Sequence, residues 1–187
     1  DKKCLEIDVV IAKIEKQIEL LKKYKKSLIS ETVTKGLNKN VPMKDSNIGW
    51  IGEIPKEWDV SKIKYSLILM GSGSTPDSSN PLNYDGEINW IQSGDLYGKS
   101  YITETEKTIT KYALHGNKSL KRYIAPFVVV AMYGASVGNI ALSQIDSYTN
   151  QACCVMKGDN SLNNKYLYYF LIANRHEMLM LFLLKYD

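Results

Sequence analysis

The feature that most constrains this chain is a long heptad seam with nothing to break it. Between Leu5 and Lys35 there is no glycine or proline, and Ile7, Ile11, Ile14, Ile18, Leu21 and Leu28 recur at intervals of four, three, four, three and seven residues. That spacing holds an apolar stripe on one side of an α-helix. Ile7, Ile14, Leu21 and Leu28 take the d positions, and Cys4, Ile11, Ile18 and Lys25 the a positions. The pattern predicts one helix over 5–35, roughly 46 Å long at ~1.5 Å per residue, closed by Gly36 as its C-cap. Such a helix can lie on a globular core or pair with another helix. The narrow stripe, its densely charged flanks and a length that would overhang a small domain favour pairing through Ile7, Ile11, Ile14, Ile18, Leu21 and Leu28. Lys25 at an a position weakens a simple homodimer and points to a particular register or partner.

Residues 37–49 are polar, carry Pro42 and show no periodicity, so they read as a linker. Trp50, Ile54 and Trp58 then read as the opening anchors of a packed domain over 50–187. Inside it, Ile88–Gln92, Phe127–Tyr133, Asn139–Ser143 and Ala152–Met156 have strand character, being short, apolar or β-branched, and bounded by polar residues or glycine. Residues 71–84 read as a long loop, Thr110–His115 as a short helix stopped by Gly116, and 163–184 as a helix with Leu167, Phe170, Leu171, Asn174, Met178 and Leu181 on one face. The expected fold is α+β: a long coiled-coil-type helix over 1–36, then a globular domain with a curled, mostly antiparallel sheet and flanking helices. The chain opens on Asp1 without Met and reads as a fragment.

Charge narrows the function. The chain carries 24 Lys and Arg against 20 Asp and Glu. Residues 1–35 hold nine lysines and six acids, whereas residues 48–187 balance thirteen against thirteen. A polyanion-binding surface on the domain must therefore come from local clustering. Residues 99–123 supply one: Lys99, Lys107, Lys111, Lys118, Lys121 and Arg122 face only Glu104 and Glu106, with Tyr97, Tyr101, Tyr112 and Tyr123 interleaved. Cationic side chains neutralise phosphates, and tyrosines, hydroxyls and carboxamides position a duplex or read base edges. An ordinary solvated face is the other reading of the same cluster. Three cysteines, two of them adjacent, make a disulfide framework improbable and favour a reducing cytoplasm. The run Met178–Leu184 is far too short to span a bilayer.

The search for catalytic chemistry is nearly empty. His115 and His176 have no ligand-spaced partners, and His176-Glu177 lacks the second histidine of a zinc-protease helix. Gly71-Ser-Gly73 is followed by neither a Walker lysine nor a third glycine. Gly134-Ala-Ser136-Val-Gly138 matches a nucleophile-elbow pattern formally, but a strand-like segment follows where an elbow needs a helix. An esterase using Ser136 is the minority reading. No catalytic residue, metal ligand or cofactor is expected.

Several segments, taken in order, resemble a known family. They are the helix Ile11–Glu31 running on to Val33-Thr-Lys-Gly36, Ile51-Gly-Glu-Ile-Pro-Lys-Glu-Trp58, Gly73-Ser-Thr-Pro76, Ser93-Gly-Asp95-Leu96, Met132-Tyr-Gly-Ala-Ser-Val-Gly138 and Asn150-Gln-Ala152. Together they resemble the DNA-specificity (S) subunits of type I restriction-modification systems. The resemblance implies a non-catalytic target-recognition domain that reads one half of a split double-stranded DNA site. It implies a helix that sets the spacer and docks methyltransferase (M) subunits, with restriction (R) subunits carrying cleavage. A second conserved helix, or a second copy of the chain, would complete the pairing, and no membrane is involved. A complete subunit has two such domains, so the order here reads as central helix plus second domain. On this reading Lys99, Lys107, Lys111, Lys118, Lys121 and Arg122 contact phosphates, and Thr75, Gln92, Ser93, Tyr97, Tyr133 and Ser136 are the candidate readers. The alternative is a half-subunit that dimerises through its helix, with DNA binding secondary.

Overall fold

The computed structural model describes residues 2–183, with side chains placed up to Met180. The chain forms two compact units, residues 1–59 and 60–187.

In the first unit, α1 runs Lys2–Lys35 as one unbroken helix of 34 residues, ~51 Å long. It ends as the sequence predicts. Gly36 takes φ 76° and donates its N–H to the Thr32 carbonyl at 3.0 Å, a conformation glycine adopts without penalty. A Cβ there would stand 3.3 Å from the Trp58 ring. The stretch expected as a linker is structured. Strand β1 (Met43–Asp45) pairs antiparallel with β2 (Glu53–Pro55), and β2 packs on α1. The hairpin turns where Asn47, at φ 58°, donates its N–H to the Asp45 carboxylate. The compact division therefore falls after Asp59 rather than at residue 50. Of the expected anchors Ile54 is buried, whereas Trp50 is 45% exposed.

The second unit is built on a five-stranded sheet of order β3 (Leu67–Ser72), β10 (Cys153–Gly158), β7 (Phe127–Ala131), β8 (Ile140–Ser143) and β5 (Tyr101–Ile102). All pairings are antiparallel except β5 with β8. The central strand β7 is wholly buried because its alternate residues feed two cores. Phe127, Val129 and Ala131 pack with Ile91, Leu96, Ile102 and Val155 on one face, while Val128 and Val130 pack with Leu142, Leu167 and Leu171 on the other. Strand alternation also sends the adjacent Cys153 and Cys154 to opposite faces, so they do not bond.

A three-stranded sheet, β6 (Thr108–Ile109), β4 (Tyr84–Ile91) and β9 (Tyr148–Thr149), carries a third cluster around Trp90 and Ile109. Helix α2 (Lys111–Gly116) starts at Thr110, whose hydroxyl accepts from Ala113 N at 3.2 Å. The helix predicted over 163–184 is two, α3 (Asn164–Ala173) and α4 (Arg175–Leu183). They part at Asn174, whose carboxamide donates to the Phe170 carbonyl at 2.8 Å and competes with the backbone. Residue 184 and the Leu181 side chain lie outside the described residues. The α+β class is as expected: long helix, mostly antiparallel sheet, flanking helices. The loop expected over 71–84 is shorter, since β3 runs to Ser72 and a 3-10 turn occupies Pro81–Asn83.

Candidate nucleic-acid interface

Strand register gathers most of the candidate residues at one end of the second unit. Strands β3 and β7 finish there and β10 and β8 begin there, because Cys154 pairs with Ser72, Cys153 with Ala131 and Val130 with Ile140. Strands β4 and β9 are parallel and finish side by side, Ile91 opposite Thr149. Four residues later β10 starts, and Met132 N donates to the Ala152 carbonyl at 2.8 Å. The segment entering β5 arrives at the same end, where the Ser100 carbonyl accepts from Leu142 N. Loops carrying Thr75, Gln92, Ser93, Tyr97, Lys99, Tyr133 and Ser136 therefore emerge together.

A cleft of about 350 Å³ opens among Thr75, Ser78, Tyr84, Asp85, Trp90, Gln92 and Lys107. Its frame is rigid. The Trp90 indole N–H donates to Ser74 O at 3.2 Å, and the Tyr84 hydroxyl to Pro76 O at 2.8 Å. The Thr75 hydroxyl bonds the Gln151 carboxamide, and Asn117 Nδ2 donates to Ser74 Oγ at 3.1 Å. The last contact sets Lys118 beside the Thr75 loop, while Lys111 occupies the first turn of α2. Lys107, Lys111, Lys118 and Lys121 are exposed, Lys99 is half-buried, and none of these five forms an ion pair among the described residues.

Arg122 belongs elsewhere. It pairs with Asp146 at 2.9 Å, three residues past the far end of β8. The Asp146 carboxylate also accepts from Ala125 N just before β7. That backbone N–H, with the guanidinium, holds the Asp146 carboxyl below the usual carboxylate range. The basic cluster, contiguous in sequence, is thus divided in space. Lys121 sits next to Arg122 in the chain and is not tied to the cleft by any bond among the described residues.

Among the described residues no His, Asp or Glu side chain bonds Ser136. Ser136 lies in a tight turn, with its carbonyl accepting from Asn139 N at 2.9 Å, and β8 rather than a helix follows. His115 contacts the Lys111 carbonyl and His176 pairs with Glu177. Among the described residues no group of three or more His, Cys, Asp or Glu side chains is placed to hold a metal ion. No helix among them is long and apolar enough to cross a membrane.

A family model for the type I restriction modification DNA specificity domain matches residues 55–184. The chain belongs to this family. Of its relatives, the type I restriction enzyme MjaIX specificity subunit of Methanocaldococcus jannaschii is 32% identical over 121 residues, covering 64% of this chain and 27% of that protein. The putative type I restriction enzyme MjaX specificity subunit of the same organism is 29% identical over 171 residues, 89% of this chain and 37% of that one. The fold matches the HsdS subunit from Thermoanaerobacter tengcongensis with a TM-score of 0.57 at 15% identity, over 94% of this chain and 38% of that chain. The chain thus spans between about a quarter and two fifths of the length of these relatives.

In this specificity domain the motifs that carry the family resemblance shape the loops. Gly73 lets two backbones touch, since a Cβ there would stand 1.7 Å from the Thr149 carbonyl oxygen. Asp95, 1% exposed, accepts from Gln92 N at 2.7 Å and Glu106 N at 3.0 Å. Gly138, at φ 74°, leaves room for Arg175, which donates to Val137 O and Asn139 Oδ1. Asn150 takes the Ala152 N–H on its side chain and donates its own N–H to Ile91 O. Sequence reasoning missed Ser78, Asp85 and Gln151 at this end. An Asp-Gly pair opening a strand was the available signal for Asp85.

Proposed function

We propose that this chain is part of the DNA-recognition subunit of a type I restriction-modification complex and reads one half of a bipartite duplex site. On this reading the domain grips DNA with the loop-bearing end of its sheets. The helix over 1–36 sets the spacing to the second half-site and docks methyltransferase subunits. The chain itself performs no chemistry: M subunits methylate, R subunits cleave, and the complex works in the cytoplasm. The observation that carries the reading is the convergence of Thr75, Gln92, Ser93, Tyr97, Lys99, Lys107, Lys118, Tyr133 and Ser136 on one end of a family-matched domain. Tyrosine faces, hydroxyls and a carboxamide are the groups that position and read base edges. Lys99, Lys111 and Lys118 are assigned to phosphates, and Arg122 to its bond with Asp146.

A salt titration of duplex binding tests this with the full chain. Each neutralised phosphate contributes ~0.9 to the slope of log affinity against log salt. Replacing Lys99, Lys111 and Lys118 by Ala flattens the slope by about 3, whereas Arg122→Ala leaves it in place. An unchanged slope in the triple variant removes this end as the DNA surface.

The alternative, a half-subunit that dimerises through its helix, has its own support. Ile7, Ile11, Ile14, Ile18, Leu21 and Leu28 are all 45% exposed or more, and this much apolar area in a row calls for a partner. Sedimentation of the full chain separates the cases. Self-association abolished by Asn at Ile11, Ile14 and Ile18 selects the dimer, and a monomer with an intact salt slope selects a helix awaiting M subunits or its second conserved helix.

A further inference from the structure

The cleft at the loop-bearing end contains a carboxylate, a group that repels phosphate. Asp85 is exposed and lines the same cleft as Lys107. Among the described residues neither makes a side-chain hydrogen bond or an ion pair, whereas Thr75, Tyr84 and Trp90 have theirs occupied by the chain. The backbone aims Asp85 deliberately. Strand β4 shifts register against β6 between Tyr84 and Ile88, a bulge that puts Asp85 at φ 60°. Gly86 then passes so close to β6 that a Cβ would lie 2.5 Å from the Ile109 carbonyl oxygen. The residue after Asp85 must therefore be glycine for β4 to pass β6 this closely.

An acceptor-only group and a donor-only group in one cleft sum to no net charge, so the cleft holds little attraction for a phosphate. They match the edge of one base pair instead. In the major groove the exposed donors are the amino groups of cytosine and adenine, and guanine presents two acceptors, O6 and N7. We infer that Asp85 and Lys107 read one C·G pair: the Asp85 carboxylate accepts from cytosine N4, and the Lys107 ammonium donates to O6 and N7 of the paired guanine. This rests on the DNA-reading function proposed above and assigns specificity within it.

The test is selection of duplexes from a random library by the full chain, its Asp85→Asn and Asp85→Ala variants, and Lys107→Met. The wild type selects a motif with one required C·G position. Asp85→Ala and Lys107→Met lose about tenfold or more of the discrimination at that same position and at no other. Asp85→Asn, which keeps the left-handed backbone conformation, shifts the preference there toward adenine, the base a carboxamide pairs with. N4-methylcytosine at that position weakens wild-type binding and not that of Asp85→Ala. If the wild type selects a motif and all three variants return it unchanged, this inference falls and the proposed function stands. If Asp85→Ala tightens every duplex equally, Asp85 merely repels DNA and the inference also falls. If the wild type selects no sequence, both fall.

Discussion

Replacing Asp95 tests whether the family motifs are scaffold or reader. Its carboxylate is 1% exposed and accepts two backbone N–H groups, from Gln92 and Glu106, at 2.7 and 3.0 Å. These bonds fix the 3-10 turn Ser93–Leu96 and tie it to the chain eleven residues on. Hydrogen bonds to a charged group contribute about 1.5–3 kcal/mol each, and a buried donor left unpaired costs a similar amount. Asp95→Ala removes both acceptors, so the expected loss is about 3–5 kcal/mol, against a total stability on the order of 5–15 kcal/mol for an ordinary domain. Asp95→Asn keeps one acceptor oxygen and loses about half as much. Urea denaturation of the full chain measures this as a fall in midpoint at constant slope. Hydrogen exchange gives a sharper reading, because only the Gln92 and Glu106 amides lose protection directly. A loss below about 1 kcal/mol for Asp95→Ala, or unchanged exchange at both amides, refutes the reasoning. If the wild type selects a DNA sequence as proposed, an Asp95→Ala chain of full stability that no longer selects it refutes the reasoning too, since Asp95 would then be reading bases.

Gly73→Ala places a methyl group 1.7 Å from the backbone oxygen of Thr149, a clash with no flexible neighbour to absorb it. The domain is expected to fail to fold or to lose more than about 4 kcal/mol, visible in a thermal melt, whereas Gly94→Ala, with open space around it, changes little. Burial pushes the Cys153 thiol up to about 12 from an ordinary value of 9. Below pH 9 the thiol is neutral folded or unfolded. Above it the unfolded chain ionises first, so stability falls as pH rises from about 9 toward 12. Alkylation at pH 8 is accordingly expected to label exposed Cys4 alone, with Cys153 and Cys154 reacting only after denaturant is added. A folded chain that takes up three labels refutes this.

What the sequence made legible follows strand length and partner count. Strands β7, β8 and β10, four residues or longer and almost wholly buried, match the predicted segments closely, whereas Ile88–Gln92 caught only the more buried second half of β4, whose first half carries exposed Asp85 and Glu87. Strands β5, β6 and β9 have two residues each and owe their existence to pairing alone. The hairpin of β1 and β2 is hidden by Met43-Lys-Asp and Glu53-Ile-Pro, which carry no strand signal of their own. Strand β3 shows another failure. Its burial alternates, yet Ile68 and Met70 on the open side are as apolar as Leu67 and Leu69, so the alternation is absent from the residue types. The long helix was legible because its period and its glycine stop agree. The candidate site was legible in part. Tyr97, Lys99, Lys107 and Lys118 of the Lys- and Tyr-rich stretch border the loop-bearing end, but Tyr123 is buried in the core and Arg122 bonds Asp146 near the start of β7. Asp85 was overlooked because a search for phosphate contacts counts acids only as subtractions.

The division of labour between motif and loop explains why kinship was readable and specificity was not. Gly73, Asp95, Gly138 and Asn150 act through contacts that any loop of this shape requires, whatever it binds. They are silent about base identity for the same reason that they carry the resemblance. Side chains that can discriminate bases must instead point away from the scaffold and keep their hydrogen-bonding groups unengaged, and no packing constraint then fixes their type. Asp85 and Lys107 meet that condition, whereas Thr75, with its hydroxyl already bonded to Gln151, fits a framing role better than a reading one. If the domain reads DNA as proposed, its readers are found by asking which polar groups at the loop-bearing end have no partner within the fold. Exchanging those side chains while keeping the four framing residues should change the sequence selected without changing the urea midpoint.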